Sequence, residues 1–216
     1  PLWSRGLGDV YKRQGYTLSA DGKTLSFTLR QDVKFSDGSA LDAAAVVRNF
    51  KAIQDPAYTS SSGSLAAHGA RLADVKALDA YTVQLTLKQA YAPFLAFAGS
   101  FALLSPASFD KPNIKSGGVG IAGTGPFVLQ TYQKGQQLEF ARNAAYNWAP
   151  SNAGHQGPAY LERVTYRFLP ESSVRTGALL SGQVDLIEGI SGNDARLFKD
   201  SPCLLYTSPS PRDQRG

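Results

Sequence analysis

Residues 16–30, YTLSADGKTLSFTLR, leave the backbone little choice. Two alternating apolar/polar runs flank Asp21-Gly22, and a two-residue Asp-Gly link between such runs favours a tight antiparallel hairpin. Leu25, Phe27 and Leu29 share one face, with Ser26, Thr28 and Arg30 on the other. A sheet with one apolar face needs a cover. VKFSDGSAL predicts a short strand and a second Asp-Gly turn at Asp37-Gly38, and LDAAAVVRNFKAIQD then predicts a helix. Asp42 is placed to cap it, Val46, Val47, Phe50 and Ile53 form an apolar stripe at helical spacing, and Pro56 ends it.

Both ends of the chain stand apart from this pattern. Pro1–Gln14 back-translates to a DNA segment whose reverse complement, read one base out of frame, spells Cys203–Gly216 residue for residue. The segment contains AGATGTGTATAAGAGACAG, which resembles the end of a transposase-based sequencing-library adapter; a genomic inverted repeat is the other source of such a pattern. Residues 1–14 and 203–216 are therefore expected to be non-native, with the natural part spanning 15–202. These ends hold Arg5, Lys12, Arg13, Arg212 and Arg215 against Asp9 and Asp213, so they supply +3 of the formal +5. The natural part is nearly neutral, which offers no electrostatic footprint for nucleic acid or an anionic membrane. The sole cysteine, Cys203, also falls in an end, so disulfides and thiolate metal sites are excluded from 15–202. No apolar run reaches membrane-spanning length; PFLAFAGSFALL is the longest and is too short.

Further along, YTSSSGSLAAHGA reads as a Ser/Gly-rich surface loop. LADVKALDAYTVQLTLK gives two strands joined at Asp79-Ala80, with Val83, Leu85 and Leu87 on one face. APFLAFA is a short helix opened by Pro93, FALLSPASF a buried connector, and KPNIKSGGVGIAGTGP a flexible stretch. A second unit starts near Gly123. FVLQTYQKGQQLEFARN predicts two strands around Lys134-Gly135, and LERVTYRFLP a strand with Val164, Tyr166 and Phe168 on one face. ESSVRTGALLSGQ predicts a helix with Glu171 in its first turn and a stop at Gly182. VDLIEG then gives a short strand, and NDARLFKD opens another helix. The first half reads as α+β and the second as α/β.

Catalytic chemistry is sparse. GVGIAG, Gly118 to Gly123, has the spacing of a dinucleotide fingerprint, yet it follows a polar loop and leads into a strand, so it reads as a loop. His68 and His155 are the only histidines; both sit in Gly-rich stretches without metal-ligand spacing, which makes them surface residues. No serine occupies a nucleophile elbow, and the carboxylates lie at turns and helix starts, where capping explains them. Tyr146 and Trp148, in an irregular segment, either plug a domain edge or line a ligand surface.

DGKTLSFTLRQDVKFSDGSALDAAAVVRNF resembles the corresponding run of extracellular solute-binding proteins of family 5, the peptide/nickel-type capture subunits of ABC importers. YTVQLTLKQAYAPFLA, GTGPFVLQTYQKGQQLEFARNAAYNW and YLERVTYRFLPESSVRTGALLSGQVDL continue the likeness in the same order. Ala44, where the family usually has Asp, and the long NWAPSNAGHQGPAY depart from it. The resemblance implies a periplasmic-binding-protein-like fold of type II, peptide-binding class, present in part. Residues 15–122 would be the family's extra α+β domain, and residues 123–202 part of the first binding lobe, ending near the hinge. It implies capture of a small solute, an oligopeptide or dipeptide or something similar, and delivery to a membrane permease by a monomeric, periplasmic or extracellular, lipid-anchored or free protein. No catalysis, cofactor, metal site or nucleic-acid partner is implied. Solute-facing residues would be Ser100, Phe101, Ala102 and Leu103 of the connector, with Ile121, Gly123, Thr124 and Gly125 of the loop before Pro126. Glycines there equally permit tight turns. The nickel-type branch often carries arginine near the connector, and Ala98 to Ser105 has none. A fragment of an enzyme whose catalytic groups lie elsewhere is the alternative, and a pure interaction module a third.

Overall fold

A computed structural model describes residues 15–59, 63–150 and 153–198, so both the proposed non-native ends lie outside the described residues. The Asp-Gly hairpin forms as its sequence dictates. Strands β1 (Tyr16–Leu18) and β2 (Thr24–Thr28) pair antiparallel, with Gly22 at positive φ in the turn. β3 (Leu72–Ala77) and β4 (Thr82–Leu87) complete a four-stranded antiparallel sheet in the order β1-β2-β4-β3. Register sets Leu25 opposite Leu85 and Phe27 opposite Val83, so the apolar side chains of neighbouring strands meet on one face.

Helix α1 (Ala43–Ala52) packs on β3 and β4 and supplies the cover. The Asp42 side chain accepts the Ala45 N–H at 2.8 Å, the expected cap. Val46, Phe50 and Ile53 are buried with Leu29, Phe35, Leu41, Leu85 and Phe94 in one continuous core, and Val47 is packed at its edge. Ile53 closes α1, and Pro56 opens a one-turn helix, α2 (Pro56–Thr59).

Several expectations give way to packing. Of the stretch expected as a Ser/Gly-rich loop, Tyr58 and Thr59 end α2, residues 60–62 lie outside the described residues, and the rest is α3 (Gly63–Arg71), which also moves His68 from a loop to a helix. Gly69 explains part of this: a Cβ there would stand 1.9 Å from the Ile53 carbonyl oxygen, so glycine lets α3 close on the end of α1. Arg30, expected on the open face of β2, is buried. It leaves the strand, pairs with Asp32 and donates to Trp148 O, so it seals a core edge. The hydrogen bonds from its guanidinium to Asp32 hold its pKa above the ordinary arginine value. VKFSDGSAL is reduced to a single bridge, Lys34 to Ala40, because the Asp37-Gly38 turn follows at once.

Helix α4 (Pro93–Ser100) begins at Pro93 as expected, and a 3-10 turn spans Pro106–Asp110. β5 (Phe127–Gln133), β6 (Gln137–Arg142) and β7 (Arg163–Arg167) form a second sheet in that order, β5 and β6 antiparallel with Gly135 at positive φ between them. Tyr166 stands edge-on to the buried Phe140.

The chain divides into two compact units that part between Tyr166 and Arg167. Within the second, α5 (Ser172–Leu180) ends in a Gly182 turn whose N–H donates to Leu179 O, while the Gln183 N–H donates to Ala178 O. Glu171 sits at the N-cap rather than in the first turn and makes no capping bond. VDLIEG is not a strand: among the described residues it has no neighbouring strand to pair with, and Leu186 is exposed. In NDARLFKD the described residues form a 3-10 turn, Asp194–Phe198; residues 199 and 200 lie outside them. Taken together the described residues are mixed α and β, with both sheets before the second unit's helix.

Candidate functional site

The connector after α4 and the Gly-rich loop before β5 run side by side. Leu104 faces Gly123 in an isolated antiparallel bridge, and the Ser105 N–H donates to Ala122 O at 2.9 Å. The two groups of residues singled out from the sequence, Ser100 to Leu103 and Ile121 to Gly125, therefore form one ledge.

Its underside is fixed. Leu103 is fully buried, as is Thr124, and Phe101 packs on Phe50 at 4.8 Å and on Phe97 at 5.3 Å. Trp148 donates from Nε1 to Thr124 O at 2.8 Å, and Asn143 donates from Nδ2 to Gly125 O at 3.1 Å. Of the two roles open to Tyr146 and Trp148, they take the plug: both are buried, with rings 5.0 Å apart, beneath the loop. Ser100 is exposed and donates from Oγ to Phe97 O; Ala102, Ile121 and Gly123 are half-buried. What the ledge presents outward is thus mainly backbone and small side chains.

Polar groups stitch its inner edge. The Ala122 N–H donates to Ser108 Oγ at 2.9 Å, and the Ser108 and Ser105 hydroxyls lie 3.0 Å apart, both fully buried. The Ser36 N–H donates to Gly123 O at 2.9 Å. Burial pushes the Asp37 carboxyl up, but hydrogen bonds from Ser105 and Ser39 outweigh it and leave the group below its ordinary value. The stretch expected to be flexible is bonded into successive turns, with Asn113 Nδ2 donating to Gly117 O and Val119 O. GVGIAG opens no helix and holds positive φ at Gly118 and Gly120, as the loop reading requires.

Each histidine is engaged by an aromatic ring. His68 stacks on Phe97 at 3.8 Å, and its Nδ1 lies 2.8 Å from Ser64 O; His155 stacks on Tyr160 at 4.1 Å. Among the described residues no three His, Cys, Asp or Glu side chains gather as a metal site. A shallow cavity of about 230 Å³ lies on the second sheet, lined by Gln130, Glu139, Phe140, Ala141 and Arg163. It is smaller than ordinary small-molecule pockets, roughly 300–1,000 Å³. No helix of the described residues is long and apolar enough to cross a membrane.

The ledge has no side-chain signature; the chain that carries it is similar to known proteins. Residues 13–214 match the family model described as bacterial extracellular solute-binding proteins, family 5 middle. The nickel-binding periplasmic protein of Escherichia coli K12 is 36% identical over 182 residues, covering 83% of this chain and 33% of its own length. The glutathione-binding protein GsiB of the same strain is 32% identical over 200 residues, 91% of this chain and 37% of its own. The chain thus spans about a third of the length of these relatives. Among solved structures, the periplasmic binding protein DppA of Helicobacter pylori in complex with peptide STSA superposes with a TM-score of 0.71. Its sequence identity is 28%, covering 87% of this chain and 39% of that one.

Proposed function

The chain belongs to the bacterial extracellular solute-binding proteins of family 5, and from that membership we propose that it forms part of the capture component of an ABC importer. Residues 15–122 are read as the extra domain and residues 123–202 as part of the first lobe. The observation that carries the reading is the Leu104–Gly123 bridge, which brings the connector and the Gly-rich loop together; we read the pair as one wall of a cleft. A peptide or similar small solute suits this wall. Half-buried Gly123 lets a ligand approach the main chain closely, the exposed Ser100 hydroxyl and half-buried Ala102 and Ile121 beside it suit a small polar or mixed solute, and no arginine lies between Ala98 and Ser105. In this reading two lobes close on the solute and the closed form, outside the cytoplasmic membrane, is what a permease engages.

The test uses the full-length product of the gene, with thermal unfolding followed in the presence of glutathione, the peptide Ser-Thr-Ser-Ala, and nickel with L-histidine. Capture of a peptide-like solute predicts a rise of several degrees with one of the first two and unchanged solute by mass spectrometry. Stabilisation by nickel-histidine alone would move the protein to the metal branch. Conversion of a solute, or no stabilisation by any at millimolar concentration, would overturn capture.

A further inference from the structure

Asn49 lies on the buried face of α1, and its carboxamide is engaged by main chain on both sides. Nδ2 donates to Leu104 O at 2.7 Å and to Ala45 O at 2.9 Å, while Oδ1 accepts the Leu104 N–H at 2.9 Å. One side-chain amide therefore satisfies both backbone groups of a single residue, as an adjacent strand does in an antiparallel ladder. The other edge of Leu104 faces Gly123. The next residue on α1, Phe50, packs against Phe101. Consecutive residues of one helix thus pin both ends of the connector.

We propose that Asn49 is a positioning residue for solute capture: it fixes the Leu104 peptide and with it the register of residues 100–105 against 121–125. This rests on the capture reading of the ledge. The chemistry favours such a role over simple core filling. Asparagine is a poor helix former, and burying its amide is unfavourable unless every group is paired. An apolar residue would fill the same volume but could not hold a peptide. Without the clamp, a slip of one residue would exchange the buried Leu103 for Leu104 and shift Phe101 and Ala102 along the ledge.

Two variants of the full-length product test it. Asn49→Leu keeps the volume and removes all three hydrogen bonds; Asn49→Asp keeps an acceptor for the Leu104 N–H and sets carboxylate oxygens against two carbonyls. Val75→Ala, in the core of the first sheet and remote in role from the ledge, is the stability control. Hydrogen exchange should rise at least tenfold in peptides covering 103–105 and 121–123 of both Asn49 variants, while β2 and β4 stay protected. Affinity for whichever of glutathione, Ser-Thr-Ser-Ala or nickel-histidine binds the parent should fall at least tenfold. Val75→Ala should lower the melting temperature and leave that affinity unchanged. Parental affinity in both Asn49 variants, or an equal loss in Val75→Ala, would overturn the proposal. Should Asn49→Leu not fold, Asn49→Asp decides. If the parent binds none of the three probes, it is the capture reading that fails, and unchanged exchange at Leu104 would separately refute the clamp.

Discussion

The two sheets are built from similar alternating sequence and end in different states. In the first, Val83 and Leu85 are fully buried and paired across from Phe27 and Leu25, with α1 laid over them. In the second, Phe127 and Phe140 are buried, yet Tyr132 and Tyr166 remain substantially exposed. The unit that begins at Arg167 goes further: Val174, Leu180, Leu186 and Leu197 are all more than half exposed, against a buried set of Thr176, Ala178 and Phe198. Alternation tells a strand which face is apolar. Whether that face is closed depends on an element arriving to cover it, and only the first sheet receives a full helix from its own connecting segments.

The contrast can be broken by mutation. Phe50→Ala, at the centre of the first core, should cost about 4 kcal/mol in chemical denaturation, and a loss under 1 kcal/mol would show that this core is not closed. Gly69→Ala should cost about 2–3 kcal/mol, since its Cβ meets backbone rather than a movable side chain; a stabilised variant would mean α3 does not pack on α1 as described. Asp42→Ala, which removes the α1 cap, should lose about 1 kcal/mol. Leu186→Ser should change stability by no more than about 0.5 kcal/mol, and a larger loss would reveal a partner for that face.

Acid sharpens the same comparison in the second unit. Hydrogen bonds from Ser172 and then Ser191 hold the Asp194 carboxyl below its ordinary 3.8. A depressed folded-state pKa means the tie is present above about pH 3.8 and is lost as pH falls through the lower folded value. Proteolysis within 172–194 should therefore accelerate only as pH falls below 3.8, and Asp194→Asn should abolish that dependence; an unaltered acid response in the variant would refute the tie.

Much of the fold was legible because local chemistry and tertiary packing agree there. The Asp21-Gly22 and Lys134-Gly135 turns, the Asp42 cap and the Pro93 start all form from neighbouring residues alone. The misreadings share a cause in long-range contact. α3 looked like a loop because Ser and Gly disfavour helix, and its reason to exist, the approach of Gly69 to Ile53 and the stack of His68 on Phe97, lies elsewhere in the chain. Arg30 followed strand alternation on paper, but Asp32 and Trp148 O draw it inward. VDLIEG has strand composition and, among the described residues, no strand to join. The candidate site was legible only through family resemblance, since a ledge made of backbone leaves no motif. Asn49 gave no signal at all, because an asparagine between Arg48 and Phe50 looks like any helix-surface residue until Leu104 is placed beside it.

The bond from Arg30 to Trp148 O spans 118 positions. Trp148 in turn supports the ledge through Thr124 O. During synthesis the first sheet and α1 can assemble from residues already made, but Arg30 has no carbonyl to cap it and the ledge has no floor until the stretch beyond residue 148 emerges from the ribosome. The candidate binding surface is therefore a late product of a scaffold that forms early. Chains arrested on the ribosome just before and just after that point should differ in protease sensitivity at residues 121–125 while sharing a resistant first sheet.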